Sequence, residues 1–582
     1  MAGSGTRAVA ATLARHPRRT FAILWARLTG RRLRARQQCA ALVGIDHRLA
    51  LPPGILDRFP TEPVPSDDPD LRLLTAPGHA LVAGARRAFA AAFAADPSLH
   101  ALYGDALVQA SPGGPVFPLL RPAFDPDYLM AVDWLGPVLA VRRTSLCAIA
   151  GGDAEISALD AALRIVERFG PDAIGHLPGI VSVRIGPDLA SDRASSLPPL
   201  RGRGPSEGGR ERGATDPATA LPAPDPRSRE AHPLPLQGEG RRGPRDAHLE
   251  TRLASLRRHL DRTGRAATGL AREPDGVVSA LHPLPDPLPL VSVIVPTRDR
   301  VDLLRACLDG LRTRTDWPTL EILIADNDSR APETLAYFRA LEGEGVRVVA
   351  CPGPFDFAGM NNAAAALARG ALLAFVNNDV EAFRPDWLGR MVREALRPEI
   401  GAVGAKLLDG EGRIQHAGIV LGTGGLATHA HRHFPGDAPG DGMRLRATHA
   451  VSAVTAACLV VEAAKFRAVG GFDAAHFAVD FNDVDLCLRL NAAGHRTLMV
   501  PSAVLHHREG ASRRRSPEAE SRHAREVAAF KMRWGPLLAQ DPHYHPGFDP
   551  DLSTHARLRA GAVDGPTGPG AVRRSGPSRS PT

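Results

Sequence analysis

Cysteine is scarce in this sequence and scattered. Its six residues, Cys39, Cys147, Cys307, Cys351, Cys458 and Cys487, form no CxxC pair. That spacing argues against a cysteine zinc site and against a disulfide framework, and suits a reducing cytoplasm. Long apolar runs are missing too: no uncharged stretch approaches the roughly 18 residues that span a bilayer, so no integral membrane segment is expected. Nor does the chain carry a basic face interleaved with aromatics, a helix-turn-helix pattern or zinc-finger spacing. Nucleic acid is therefore not expected as a partner, although the net charge is +8.

Much of that charge sits at the ends and in one linker. Nine arginines fall between Arg7 and Arg36, and the tail "AVRRSGPSRSPT" adds more. Within residues 1–45, "RRTFAILWARLTGRRLRARQQ" alternates arginine with Phe21, Ile23, Leu24, Trp25 and Leu28. Two readings stay open for it: a basic amphipathic helix on an anionic membrane, peripheral on the inner face, or a solvated helix with an ordinary buried stripe. Residues 195–246, rich in Pro, Gly and Arg, bury too little apolar surface to offset chain entropy and are expected to be a disordered linker, as is the tail 556–582. At 582 residues, two or more domains are expected.

The clearest patterning lies at 288–545. "LVSVIVP", "LEILIAD", "VRVVAC" and "ALLAFVNND" read as buried parallel strands, and "RVDLLRACLDGLRTR", "APETLAYFRALEGEG" and "FAGMNNAAAALARG" as the helices between them. Such alternation makes an α/β, doubly wound sheet, whose ligands bind outside the carboxyl ends of the strands. Asp326 and Asp379 both fall at such ends. Turn chemistry alone also places Asp after strands, but two at neighbouring ends weaken that reading.

In order, "VSVIVPTRDR", "IADNDS", "FVNND", "VGGFD" and "FNDVDLCLRL" resemble the family 2 glycosyltransferases, which have the GT-A (nucleotide-diphospho-sugar transferase) fold. "RIQHAGIVLG" and "VSAVTAACLVV" resemble the subgroup associated with O-antigen and other surface polysaccharides, rhamnosyltransferases included. The resemblance implies an enzyme that moves a sugar from a nucleotide-diphosphate donor to a glycan or lipid-linked glycan acceptor, with a divalent cation, manganese or magnesium, at the diphosphate. The family's DxD motif reads Asn377, Asn378, Asp379 here, which keeps the last carboxylate as metal ligand. His507 falls where the family brings a histidine to the metal, with His506 as the competing position. Pro296, Thr297, Asp326 and Asp328 fall on the two loops that hold base and ribose, and Asn378 joins the donor-binding set. Asn361, with Asn362, either caps its helix or faces the phosphates, capping being favoured. Asp483 is the implied catalytic base, with Asn482 where the family often has Glu. Asp485 and Arg489, at i and i+4, read as a structural helix pair. One base and direct attack imply inversion. The alternative from another class is a catalytically silent glycan- or nucleotide-binding scaffold.

A second, degenerate copy is expected at 80–190. "LAVRRTSLCAIAGGDAEISALDAALRIVERFGPDAIGHLPGIVSVR" parallels "LVVEAAKFRAVGGFDAAHFAVDFNDVDLCLRLNAAGHRTLMVPSAVLHHR". Asp160 and Arg164 match Asp485 and Arg489, Ala158 stands opposite Asp483, and Arg184 or a neighbour stands where the histidines would be. "HALYGD" is matched to "AFVNND", with no nucleotide-binding strands before it. A truncated, non-catalytic domain follows from that alignment.

Overall fold

The computed structural model describes residues 12–29, 31–46, 51–64, 68–109, 111–150, 156–185, 244–342, 344–508, 516–550, 553–555, 557–559 and 561–574. Two helices open it, α1 (Pro17–Leu28) and α2 (Arg32–Asp46), packed against each other. Pro17 suits the first helical position, where its missing N–H had no partner to lose.

The first module contains β1 (Leu71–Thr75), β2 (His79–Val82), α3 (Ala85–Ala95), β3 (Ala101–Gln109), β4 (Val138–Arg142), α4 (Ala158–Phe169) and β5 (Ile174–Ile185). Its sheet runs β2-β5-β3-β4-β1, with Thr61–Glu62 beyond β2. β3 and β5 are parallel, and the other neighbours in that order are antiparallel.

The second module opens with β6 (Val291–Thr297), α5 (Val301–Thr313), β7 (Leu320–Asp326), α6 (Pro332–Leu341), β8 (Val346–Ala350), α7 (Phe357–Leu367), β9 (Leu372–Val376) and β10 (Val380–Ala382). It continues through α8 (Trp387–Ala395), β11 (Ile400–Leu408), the hairpin β12 (Ile419–Leu421) and β13 (Ala427–His429), β14 (Cys458–Glu462), α9 (Asn482–Ala492), β15 (Arg496–His507) and α10 (Pro517–Ala539). The sheet order is β8-β7-β6-β9-β14-β11-β15-β10. β6 to β9 pair in parallel, and β14 runs antiparallel to both its neighbours. This is the doubly wound GT-A sheet that the motifs imply. Separate apolar clusters cover its two faces, so β6 and β9 are buried along their whole length, and their sequences are apolar runs without alternation. Pro296 is tolerated inside β6 because the β9 ladder ends two residues earlier, at Ile294–Phe375.

The two sheets share one topology over five strands. β2-β5-β3-β4-β1 of the first module repeats β10-β15-β11-β14-β9 of the second, with the same directions throughout. Even the register break in the central parallel pair recurs, beside Asp105 in β3 and beside Lys406 in β11. Arg164 Nε donates to Asp160 (2.9 Å) and Nη1 to Ile149 O; Arg489 repeats this with Asp485 (2.7 Å) and Val469 O. No counterpart of β6, β7 and β8 occurs among the described residues of the first module.

Three expectations need correction. "HALYGD" is β3, the counterpart of β11; the segment that matches "AFVNNDVEA" is instead "LLTAPGHAL", from β1 into β2. The match by spelling slipped by one strand, because Asp105 imitates the motif's last carboxylate. The module also begins earlier than residue 80, since β1 lies at its edge. Finally, residues 557–559 and 561–574 are not a loose tail: buried Arg573 bridges to His176 and donates to the carbonyls of Asp541 (2.7 Å), Pro542 (2.8 Å) and Tyr544 (3.0 Å). Most of the expected linker, and the Gly151–Gly152 pair used in the alignment, lie outside the described residues.

The modules interlock through charge. Asp127 accepts from Arg397 at 2.6 Å and also contacts Arg496, while Asp125 Oδ2 accepts from Ala450 N at 2.7 Å. The Arg397 guanidinium and the Arg496 charge hold the Asp127 carboxyl well below its ordinary range against its burial.

Candidate active site

Asp379 closes the turn between β9 and β10, and His507 ends β15, whose register pairs it with Val380. His507 Nε2 lies 3.2 Å from Asp379 Oδ1, an oxygen that is buried without a hydrogen-bond partner. On the other side of the ring, Nδ1 lies 3.1 Å from Gln415 Oε1. In the tautomer that donates from Nδ1 to this amide oxygen, Nε2 presents a lone pair to Asp379. Two acceptors thus face each other, an arrangement that a cation resolves. A carboxylate oxygen, an imidazole nitrogen and a polar group fixing the tautomer form a donor set that suits a divalent metal.

Asn378 Nδ2 donates to Thr297 Oγ1 at 2.9 Å, which ties the β9 turn to the end of β6. The loops after β6 and β7 are stapled together. Asp299 N donates to Ser329 Oγ (2.7 Å), and Asp299 Oδ1 accepts from Arg330 N (2.7 Å) and Ala331 N (2.8 Å). Asp326 accepts from Ser329 N at 3.2 Å, and Asp328 accepts from Gly353 N at 3.0 Å. Asp299, Arg300 and Asp328 all hold positive φ of 51 to 55°, a local strain that clusters at ligand-binding loops. Pro296, Thr297, Asp326, Asp328 and Asn378 therefore lie at or just beyond the adjoining carboxyl ends of β6, β7 and β9. Asn361 does not join them. It is fully buried in α7 and donates to Phe357 O at 2.7 Å; Asp356 caps the helix by accepting from Gly359 N, and Asn362 pairs with the Phe472 backbone. The capping expectation fails because Asp356 stands at the helix boundary, whereas the asparagines lie inside it.

Asp483 enters in the first turn of α9. Its Oδ2 accepts from Ala456 N at 3.1 Å, and its Oδ1 from Val484 N at 2.8 Å. Next to Ala456, Ala457 O accepts from Asn377 N at 3.0 Å, so Asp483 and the Asn377–Asp379 turn are fixed to adjacent residues. Asp483 and Asn377, the first residue of that turn, line one cleft of about 190 Å³, together with Phe357, His429 and Phe481. Phe481 adopts φ 62°, a costly conformation for an aromatic residue, immediately before α9. Buried Glu526 of α10 steadies this entry by accepting from Asp480 N at 2.5 Å and from Val479 N. Asp485 points the other way: fully buried, it accepts from Arg489, from Arg533 (2.8 Å) and from Trp534 Nε1 (3.0 Å).

Sequence reasoning missed Asp299, Ser329 and Gln415, although all three lie inside quoted motifs. It also missed a histidine pair. His416 Nε2 accepts from Gly418 N and Thr455 N, so its Nδ1–H donates to His429 Nδ1 at 2.8 Å. The proton of His429 therefore sits on Nε2, in a residue that lines the cleft. Burial, and then His429, keep His416 neutral by pushing its pKa far below the usual range.

A second cluster, Asp105, His176 and His545, joins the first module to the C-terminal segment. Asp105 accepts from both imidazoles at 3.0 Å and from the N–H groups of Arg121 and Gly179 at 2.8 Å. His545 Nδ1 accepts from Gly547 N, so its proton lies on Nε2 toward Asp105. A metal-bound imidazole instead donates from its far nitrogen. The cluster thus reads as a hydrogen-bonded clamp.

Residues 292–417 match Glycosyl transferase family 2. The chain is similar to the protein y4gI of Sinorhizobium fredii, 45% identical over 46% of this chain and 30% of that protein. It is also similar to the O-antigen biosynthesis protein RfbC of Myxococcus xanthus, 33% identical over 78% of this chain and 32% of that protein. The chain thus spans about a third of the length of these relatives. A mannosyltransferase of Pyrobaculum calidifontis, solved with GDP-Man and Mn2+, is similar in structure at 20% identity with a TM-score of 0.31, over 43% of this chain and 68% of that one. With its ordered motifs and its sheet, the chain carries a glycosyl transferase family 2 domain.

Proposed function

We propose that the protein is an inverting, metal-dependent glycosyltransferase that moves a sugar from a nucleotide-diphosphate donor to a growing surface glycan, of O-antigen or a related polysaccharide. The observation that carries this reading is that Asp483 and Asn377, which opens the turn to Asp379, line one cleft and are held by adjacent residues. Asp326, Asp328, Pro296 and Thr297 hold base and ribose, and Asn378 keeps the Thr297 hydroxyl oriented. Asp379 and His507 would hold manganese or magnesium, which would supply positive charge to the leaving diphosphate.

Asp483 accepts the proton of the acceptor hydroxyl while that oxygen bonds to the anomeric carbon. The carbon–oxygen bond to the diphosphate breaks on the opposite face, and the diphosphate leaves with the electron pair. Attack opposite the leaving group inverts the anomeric centre. The first module has Gly78, Ala158 and Arg184 at the places of Asp379, Asp483 and His507, so its role is architectural. Free thiols suit the reducing cytoplasmic side, where the acceptor meets the donor.

Purified protein with a panel of sugar nucleotides and Mn2+ should hydrolyse one donor slowly, and Asp483→Asn should suppress this. Nucleotide binding with no turnover of any donor or acceptor favours the silent scaffold instead.

A further inference from the structure

The first carboxylate of the sequence is Asp46; all nine arginines up to Arg36 precede it without a single Asp or Glu. In the structure this segment carries an apolar face that nothing described covers. Phe21, Leu24, Trp25 and Leu28, spaced i, i+3, i+4 and i+7 along α1, are 68%, 53%, 59% and 83% exposed. Arg18, Arg27, Arg31, Arg32 and Arg34 are exposed around them. The inner side is anchored: Ala26, Ala35 and Leu42 are buried, and Ala41 belongs to the apolar cluster of the second module. Gln37 Nε2 donates to Thr428 Oγ1 at 3.4 Å, and Thr428 lines the same cleft as Asp483. The helix pair therefore sits at the rim of the candidate active site.

Charge decides between occupants. A second copy meeting this face across a two-fold axis would set arginines against arginines, with no carboxylate in the segment to offset them. Anionic lipid headgroups complement the arginines, and the acyl boundary accepts the four apolar side chains. At 12 residues, α1 is too short to cross a bilayer and suits a helix lying in the interface plane.

We propose that α1 docks the protein on an anionic lipid surface, with Phe21, Leu24, Trp25 and Leu28 in the acyl boundary and the arginines at the phosphates. Docking turns the cleft rim, held through Gln37 and Thr428, toward an acceptor carried on lipid. Only this last consequence rests on the glycosyltransferase reading.

The test is sedimentation of the full chain with vesicles of phosphatidylcholine alone and of phosphatidylcholine with phosphatidylglycerol. Binding is expected to the anionic vesicles and to weaken with salt. F21S/W25S should lower partitioning by about tenfold per aromatic removed, and Arg27→Gln and Arg31→Gln by roughly fivefold each. All of these side chains are exposed, so an unchanged melting temperature checks the fold. Donor hydrolysis in solution should match the parent in F21S/W25S. Its absence from every form, parent included, sinks the glycosyltransferase reading and leaves docking to the sedimentation data. Docking is overturned by no sedimentation, by equal sedimentation with both vesicles, or by F21S/W25S binding like the parent. A dimer in velocity sedimentation that F21S/W25S dissolves assigns the face to a second copy instead.

Discussion

His507 and Asp379 face each other at 3.2 Å across the β10–β15 edge, and Arg184 and Gly78 hold the same two places in the first module. The Arg184 side chain lies over Gly78, so closely that an added Cβ there would meet Arg184 Nε at 3.4 Å. One module thus opposes two acceptors, and the other fills that space with a fixed cation.

From this contrast, EDTA should abolish donor turnover, and Asp379→Ala should do the same in a folded protein. Gln415→Leu, which frees the His507 tautomer, should weaken Mn2+ binding by about 10–100-fold, measured by calorimetry. Full activity in excess chelator would remove the metal from the mechanism. Chelation should lower the melting temperature only through loss of the metal at Asp379 and His507, because Asp105 is saturated by four N–H donors.

β6, β7 and β9 and their helices are legible because a doubly buried strand must be apolar throughout, and such runs end where the backbone leaves the core, at Asp326 and Asp379; β8, expected to be buried as well, is instead the sheet edge, with Arg347, Val348 and Ala350 exposed. Asp160–Arg164 and Asp485–Arg489 are legible because i,i+4 spacing fixes the contact locally. What escapes is decided by pairing across distance. "HALYGD" imitates a strand end, yet its neighbours β4 and β5 make it the counterpart of β11. Asn361 has the composition of a cap but lies a turn too late in the helix. The His416–His429 pair needs the Gly418 and Thr455 amides, which no spacing announces.

The module interface gives a second prediction. Asp127 is buried against Arg397 and Arg496, and Arg397 is itself nearly buried. Asp127→Ala should cost about 1–3 kcal/mol, because it breaks the bridge between the modules while Arg397 keeps Glu394 at 2.6 Å and Glu399 at 2.8 Å. Urea unfolding reads this directly, and a loss below 1 kcal/mol would mean that the interface is solvated. For the same reason, deleting residues 1–245 should destabilise the catalytic module; hydrolysis by whatever part still folds should persist.

Buried histidines set the response to acid. Burial, followed by Arg444, lowers His431 to about 3 and His543 to about 3 from the ordinary 6.5, and burial, with Arg432, lowers His433 to about 4. Above pH 6.5 these rings are neutral in both states and cost nothing. Between 6.5 and about 4 the unfolded chain takes up protons that the folded one refuses, so stability falls as pH falls. Each ring contributes about 1.4 kcal/mol per pH unit there. The melting temperature should drop steadily from pH 7 to pH 5; a flat profile would mean that these rings are solvated.

Asp483 and Asp485 stand two residues apart on α9 and should fail differently. Asp483 faces the cleft from the first turn of α9. Asp483→Asn keeps the shape and loses the proton acceptor, so turnover should fall by on the order of 10² to 10⁴. Donor affinity, set at the ends of β6 and β7, should hold. Asp485 is fully buried among Arg489 of its own helix and Arg533 and Trp534 of α10, and so ties α9 to α10. Asp485→Asn therefore weakens two charged contacts in the core and should lower the melting temperature before it changes the chemistry. Thermal melts and single-turnover kinetics on the two variants separate these outcomes. If Asp485→Asn abolished turnover at an unchanged melting temperature while Asp483→Asn only destabilised, the proton acceptor would have to be sought on the other face of α9.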